Sequence, residues 1–145
     1  MSRYLFPLAL FAVLLALVIA TRDDGTLKGM ARVIDGATVV MDGRRLRLEG
    51  IRPFPLDETC PGAAETGDWP CGREAAYALS RLIDRRGLEC AVRTETRGDA
   101  EAVCRRDDAD VALEMLRLGW ARTDLGGDPA AAQSEARAAR RGIWR

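Results

Sequence analysis

Apolar and polar positions change their period several times along the chain, and each change marks an element. Tyr4 to Ala20 is an uncharged run of 17 residues rich in Leu, Ala and Val. From Leu27 to Ile51 the chain reads as strands, with β-favouring Val33, Ile34, Val39, Val40 and Met41. Asp42-Gly43 is a two-residue hairpin signal. Beyond it Leu46 and Leu48 alternate with Arg45, Arg47 and Glu49, the period-two pattern of a half-buried strand. A hairpin or meander therefore opens the folded part.

Arg52 to Pro70 carries four Pro and two Gly and reads as a loop. Gly72 to Arg86 has helical spacing through Ala75, Ala76, Leu79, Leu82 and Ile83, with Gly87 as its C-terminal cap. Leu88 to Val92 and Ala100 to Arg105 are strand candidates. Ala109 to Leu118 reads as a helix ended by Gly119. Asp128-Pro129 reads as the start of a last helix that runs to about Arg141, with Asp as cap and Pro in the first turn. The order of strands, helix, strands, helix and helix suits a small α+β domain with a closed or partly closed barrel.

The length of 145 residues allows one compact domain. There is no His, which excludes a Ser-His-Asp triad, a Cys-His pair and His-ligated zinc or haem. The four Cys, at 60, 71, 90 and 104, contain no C-x-x-C pair. Two disulfides are therefore favoured over a four-Cys zinc site. Cys60 and Cys71 bracket much of the loop, where a bridge would restrain it. Cys90 and Cys104 sit on the two later strand candidates, consistent with a second bridge between neighbours. Beyond position 21 the chain holds 21 basic and 22 acidic residues, so no basic excess marks a polyanion binder.

The apolar run follows Arg3 and precedes Arg22-Asp23-Asp24. It is longer than the usual signal-peptide core and at the short limit for a spanning helix. Val18-Ile19-Ala20 is an imperfect cleavage site, so the expectation is an uncleaved anchor over 1–21 and a linker over 22–29. A cleaved signal peptide, leaving a secreted or periplasmic protein, is the alternative. In both cases the N-terminus stays in the bacterial cytoplasm and the domain over 30–145 lies in the periplasm. An oxidising compartment agrees with the Cys usage.

Several ordered segments resemble the staphylococcal-nuclease-like (thermonuclease) family. Val33-Ile34-Asp35-Gly36-Ala37-Thr38-Val39 is similar to its V-x-D-G-D-T-[IV] turn. Arg47-Leu48-Glu49-Gly50-Ile51-Arg52-Pro53-Phe54-Pro55 is similar to its R-L-x-G-I-D-A-P-E. Gly72-Arg73-Glu74-Ala75 matches the G-x-x-A that opens its first helix. Gly119-Trp120-Ala121, and then Glu135, Ala138, Arg141, Gly142, Ile143 and Trp144, resemble its C-terminal segment. The resemblance implies a five-stranded OB-type barrel with three helices. It also implies calcium-dependent phosphodiester hydrolysis, with carboxylates holding the cation, a carboxylate activating water and two Arg on the phosphate.

The chain departs from that pattern where the chemistry sits. Asp35 remains, but the next metal-ligand position holds Ala37. The Asp and Glu of D-A-P-E are Arg52 and Pro55. Arg47 matches the first phosphate-binding Arg, while the second is Asp99. Two lost carboxylates and a gained Arg52 turn a cation site into one that repels Ca²⁺. Asp57 and Glu58 are the nearby carboxylates left as substitutes, and an Arg52–Asp99 ion pair across the old cleft is a more natural use of the two changes.

Plainer roles also suit these residues. Asp35 reads as a turn cap before Gly36. Arg44, Arg45 and Arg47 read as a solvated strand face, and Arg137, Arg140 and Arg141 as cations at a helix C-terminus. Trp69, Trp120 and Trp144 read as core or interface residues, with loop-borne Trp69 the candidate for binding. The expected function is a non-catalytic, membrane-tethered accessory module whose partner is an integral-membrane protein or complex. Arg47, Arg52, Trp69 and Asp99 are its candidate binding residues. Nucleic acid and cofactors are not expected. A calcium-dependent nuclease with a rebuilt site is the alternative.

Overall fold

The computed structural model describes residues 25–145 apart from 63, 64, 66, 85 and 97. The expected anchor, Tyr4 to Ala20, lies outside the described residues. Four strands come first: β1 (Thr26–Gly29), β2 (Arg32–Asp35), β3 (Thr38–Met41) and β4 (Arg44–Leu48). Helix α1 (Cys71–Leu82), strands β5 (Leu88–Thr96), β6 (Asp99–Arg106) and β7 (Ala109–Asp110), and helices α2 (Val111–Arg117) and α3 (Gly127–Ala138) follow. A 3₁₀ turn over Gly142–Trp144 closes the chain. The fold is mixed α+β with a curled seven-stranded sheet, two strands more than the five expected. The sheet order is β1-β5-β6-β4-β3-β2, with short β7 on β6. β1 occupies part of the segment expected as linker.

The period-two reading of β4 holds. Leu46 and Leu48 are fully buried while Arg45 and Arg47 point the other way, and Val39 faces Leu46 across the β3–β4 pair. Asp42 and Gly43 turn that hairpin with φ of 49° and 77°, the left-handed pair that a type I′ turn needs. β4 then runs parallel to β6, with α1 and β5 inserted between them in sequence. The core lies between the curled sheet and the helices, and includes Val39, Leu46, Leu48, Leu79, Ala102, Met115 and Leu116.

Both expected disulfides are present. Cys60–Cys71 ties the loop to the first residue of α1, and Cys90–Cys104 links directly opposed residues of β5 and β6. They close 11- and 14-residue separations, and bridges of that span stabilise by about 3 kcal/mol each in the chain-entropy account.

Helix ends differ from the sequence reading. α1 stops at Leu82, four residues early, because Ile83 turns into the core and Arg106 Nη1 donates to the Leu82 carbonyl. Gly87 is not its cap and instead passes close to the Gly29 backbone. α2 starts later than Ala109, with the Asp110 carboxylate accepting from the Leu113 amide at 3.0 Å. α3 has Gly126 at its cap position, so Asp128 sits in the first turn, where its charge suits the helix dipole. It ends at Ala138, short of Arg141.

Candidate functional site

The Asp35–Thr38 turn is a packing joint. Asp35 Oδ1 accepts the Ala37 amide at 2.8 Å, so the carboxylate caps its own turn. Ala37 is fully buried, and its carbonyl accepts from Leu48 at 2.8 Å. Gly36 donates to the Phe54 carbonyl at 3.1 Å. A Cβ on Gly36 would stand 2.8 Å from Ala75 Cβ and 2.9 Å from the Phe54 ring. Thus the turn, the Phe54 loop and α1 meet at a residue that has to be glycine.

Arg52 and Pro55 are exposed on the loop that follows β4. Arg52 Nε pairs with Asp124 Oδ2 at 3.0 Å, and Asp99 pairs with Arg45 Nε at 3.3 Å. The expected Arg52–Asp99 pair is therefore replaced by two separate pairs. The reason is register: Asp99 lies directly opposite Arg45 in the β4–β6 ladder, and Arg52 is past the end of β4. Of the two substitute carboxylates, Glu58 pairs with Arg122 at 3.4 Å and Asp57 is exposed. Among the described residues no group of three or more His, Cys, Asp or Glu is placed to hold a metal ion.

The structure does bring Arg47 and Asp99 together. Both line an open cleft of about 380 Å³ on the outer face of the sheet, with Thr94, Thr96, Ala100 and Glu101. The register explains the lining. Arg47 on β4 opposes Glu101 on β6, which opposes Thr94 on β5. Two residues along, Arg45, Asp99 and Thr96 form the next row. Each row reads cation, carboxylate, hydroxyl. Arg47 Nη2 donates to Glu101 Oε1 at 2.6 Å, with both side chains more than two-fifths exposed. In that much water the pair contributes at most about 1 kcal/mol. Thr94, Thr96 and Glu101 had no motif to announce them. The signal was the alternation of β6, which places Asp99 and Glu101 on one face and buried Ala100 and Ala102 on the other.

Trp69 lies elsewhere. It is half-buried beside the Cys60 backbone and meets Trp120 edge-on at 6.2 Å between ring centroids. The Arg145 guanidinium lies 4.1 Å above the Trp69 ring, and Arg137 lies 4.2 Å above Trp144. Arg122, which no sequence motif marks, sits over Phe54 at 5.3 Å and also meets Glu58 and Cys60 Sγ. Trp69 is thus part of a packed aromatic–arginine end and does not line the cleft. No described helix is long and apolar enough to cross a membrane.

No family model matches the chain. Over 141 residues it is 33% identical to the succinoglycan biosynthesis protein ExoI of Rhizobium meliloti (strain 1021), a match covering 90% of this chain and 73% of that protein.

Proposed function

The chain belongs to the family of the succinoglycan biosynthesis protein ExoI, and from that premise we propose that it is a non-catalytic accessory module of glycan biosynthesis built on a staphylococcal-nuclease-like, OB-type barrel. The observation that carries this reading is which side chains stand where hydrolysis needs carboxylates on a cation and arginines on the phosphate. Arg52 and Pro55 replace two carboxylates on the exposed loop, Ala37 is buried, Asp99 stands in place of an arginine, and the Asp35 carboxylate accepts the Ala37 amide. Ala37 and Pro55 offer no side-chain ligand. A hard cation takes several oxygen ligands, and the guanidinium of Arg52 opposes it.

The nuclease-like barrel is supported by contacts between segments that the resemblance joins in order. The Asp35 turn, the Phe54 loop and the G-x-x-A of α1 pack together at Gly36. Gly119 and Gly142 also cross backbone to backbone, with Ile143 donating to the Gly119 carbonyl at 2.9 Å. The two disulfides support an oxidising compartment. With the apolar run before Thr21, they favour a domain tethered on the periplasmic face of the cytoplasmic membrane, beside an integral-membrane partner.

The test uses the full-length chain, extracted from its own membranes in mild detergent. Calcium-supplemented digestion of DNA and RNA is expected to proceed no faster than a blank without protein. A membrane protein is expected to co-purify in stoichiometric amount, with Met1 to Ala20 intact. Loss of the gene is expected to lower the host's exported glycan. Calcium-dependent hydrolysis that disappears in Arg47→Ala would overturn this reading and establish the nuclease.

A further inference from the structure

Resting on the accessory reading, we infer that the outer face of β4, β6 and β5 binds an uncharged stretch of oligosaccharide, with Arg47, Glu101, Asp99, Thr94 and Thr96 as its polar contacts. Each of the two rows offers a guanidinium that only donates, a carboxylate that only accepts, and a hydroxyl that does both. A pyranose presents the complementary set, since neighbouring hydroxyls each donate and accept. The hydroxyls of Thr94 and Thr96 have no hydrogen-bond partner among the described residues. They sit on the β5 side of the same cleft.

Charge selects the class of ligand. Arg47, Asp99 and Glu101 sum to one negative charge along the lining, and Arg45 beside Asp99 brings the patch to neutrality. The two rows hold two guanidiniums and two carboxylates, so a phosphodiester or a uronate finds no net positive charge there. A neutral polyol needs none and takes hydrogen bonds strengthened by the charged partner. The ion pairs do not close the site, because both are exposed and weak. Each carboxylate keeps a second oxygen, and each guanidinium further N–H groups, for a ligand. The cleft volume of about 380 Å³ is at the lower end of the ~300–1,000 Å³ range of small-molecule sites. No aromatic ring lines it, so the affinity expected is weak, about millimolar.

The experiment is amide chemical-shift mapping of the ¹⁵N-labelled full-length chain in detergent micelles. The probes are neutral oligosaccharides released from the host's exported glycan and, separately, thymidine 3′,5′-bisphosphate. The expected result is saturable shifts over 45–48 and 94–102 with the oligosaccharide, and weaker binding of the bisphosphate. Thr94→Val combined with Thr96→Val is expected to weaken oligosaccharide binding at least fivefold, and Glu101→Gln at least threefold, with the amide spectrum otherwise kept. Shifts elsewhere, no saturation, unchanged affinity in the Thr variants, or tighter binding of the bisphosphate would each overturn the inference. Failure here without hydrolysis of DNA or RNA sinks the oligosaccharide site alone. Hydrolysis sinks the accessory reading itself.

Discussion

Arginine is used in two different ways at two regions of this molecule. At the aromatic–arginine end Arg122, Arg137 and Arg145 lie over the rings of Phe54, Trp144 and Trp69 at 4.1 to 5.3 Å. On the open sheet face Arg45, Arg47 and Arg93 instead reach Asp99, Glu101 and Glu49, all in contact with water. Stacking on a ring costs a guanidinium little hydration and fixes its plane. A solvated ion pair gains little and gives up its partner easily. Arg122, one-third exposed and touched on several sides, is therefore held in place, whereas the sheet face is a surface whose hydrogen bonds are exchangeable. That difference is why the candidate site is placed on the sheet face although the tryptophans are at the other end.

The largest effect should come from breaking the packed end at its tightest backbone approach. A Cβ on Gly72 would fall on the Pro55 carbonyl oxygen and against the Glu58 amide and the Leu56 carbonyl carbon. These are backbone atoms of a loop tied by Cys60–Cys71, so they cannot step aside as a side-chain tip would. Gly72→Ala is expected to destabilise the domain by at least about 3 kcal/mol. Urea unfolding followed by tryptophan fluorescence reads it directly, because Trp69, Trp120 and Trp144 all lie in the folded part. A loss below about 1 kcal/mol would mean that the loop is not held as described.

Removing the bridge itself comes next. Cys60→Ser with Cys71→Ser should cost about 3 kcal/mol, since the 11-residue separation is released in the unfolded chain. The same change should loosen Trp69, whose amide donates to the Cys60 carbonyl, and quench differences should appear in its fluorescence. The matching double change at Cys90 and Cys104 is expected to leave the Trp69 signal alone. That contrast separates a local effect on the packed end from general loss of stability.

Much of this arrangement was legible in the sequence, and the parts that were not share a cause. β4 was legible because Leu46 and Leu48 alternate with charges, and its hairpin because Asp42-Gly43 permits two positive φ angles. The end of β5 was not: Arg93, Thr94, Glu95 and Thr96 are all exposed, so no apolar period marks them, and pairing with β6 alone makes them strand. Thr94 and Thr96, a third of the residues lining the candidate cleft, lie there. Arg47 and Asp99 were found through motif positions, yet Arg52 and Asp99 were expected to pair because both replace site residues. Motif positions carry no register, and register is what assigns Asp99 to Arg45 and leaves Arg52 to Asp124. The early stop of α1 at Leu82 is a tertiary effect of the same kind, set by Arg106 from another element.

A smaller effect tests the arginine contrast itself. Arg122→Ala removes a guanidinium only one-third exposed that touches Phe54, Trp144, Glu58 and Cys60. It should cost about 1.5 kcal/mol, from lost stacking and from the carboxylate left beside it. Arg45→Ala on the sheet face should change stability by less than about 0.5 kcal/mol. Equal losses in the two variants would erase the distinction between the regions.

The smallest expected effect is the most telling for the cleft. A double-mutant cycle with Arg47→Met, Glu101→Gln and the two together measures how strongly the row is bound to itself. The side chains are 43% and 42% exposed despite their 2.6 Å contact, so the coupling should be about 0.5 kcal/mol and should shrink as salt is raised from low to molar levels. A coupling of that size means that a ligand hydroxyl displaces the partner at little cost, which is what an exchangeable surface requires. A coupling above about 2 kcal/mol, unmoved by salt, would instead make Arg47–Glu101 a fixed strut between β4 and β6. The sheet face would then be held as firmly as the aromatic–arginine end, and the cleft would have no donors or acceptors to lend.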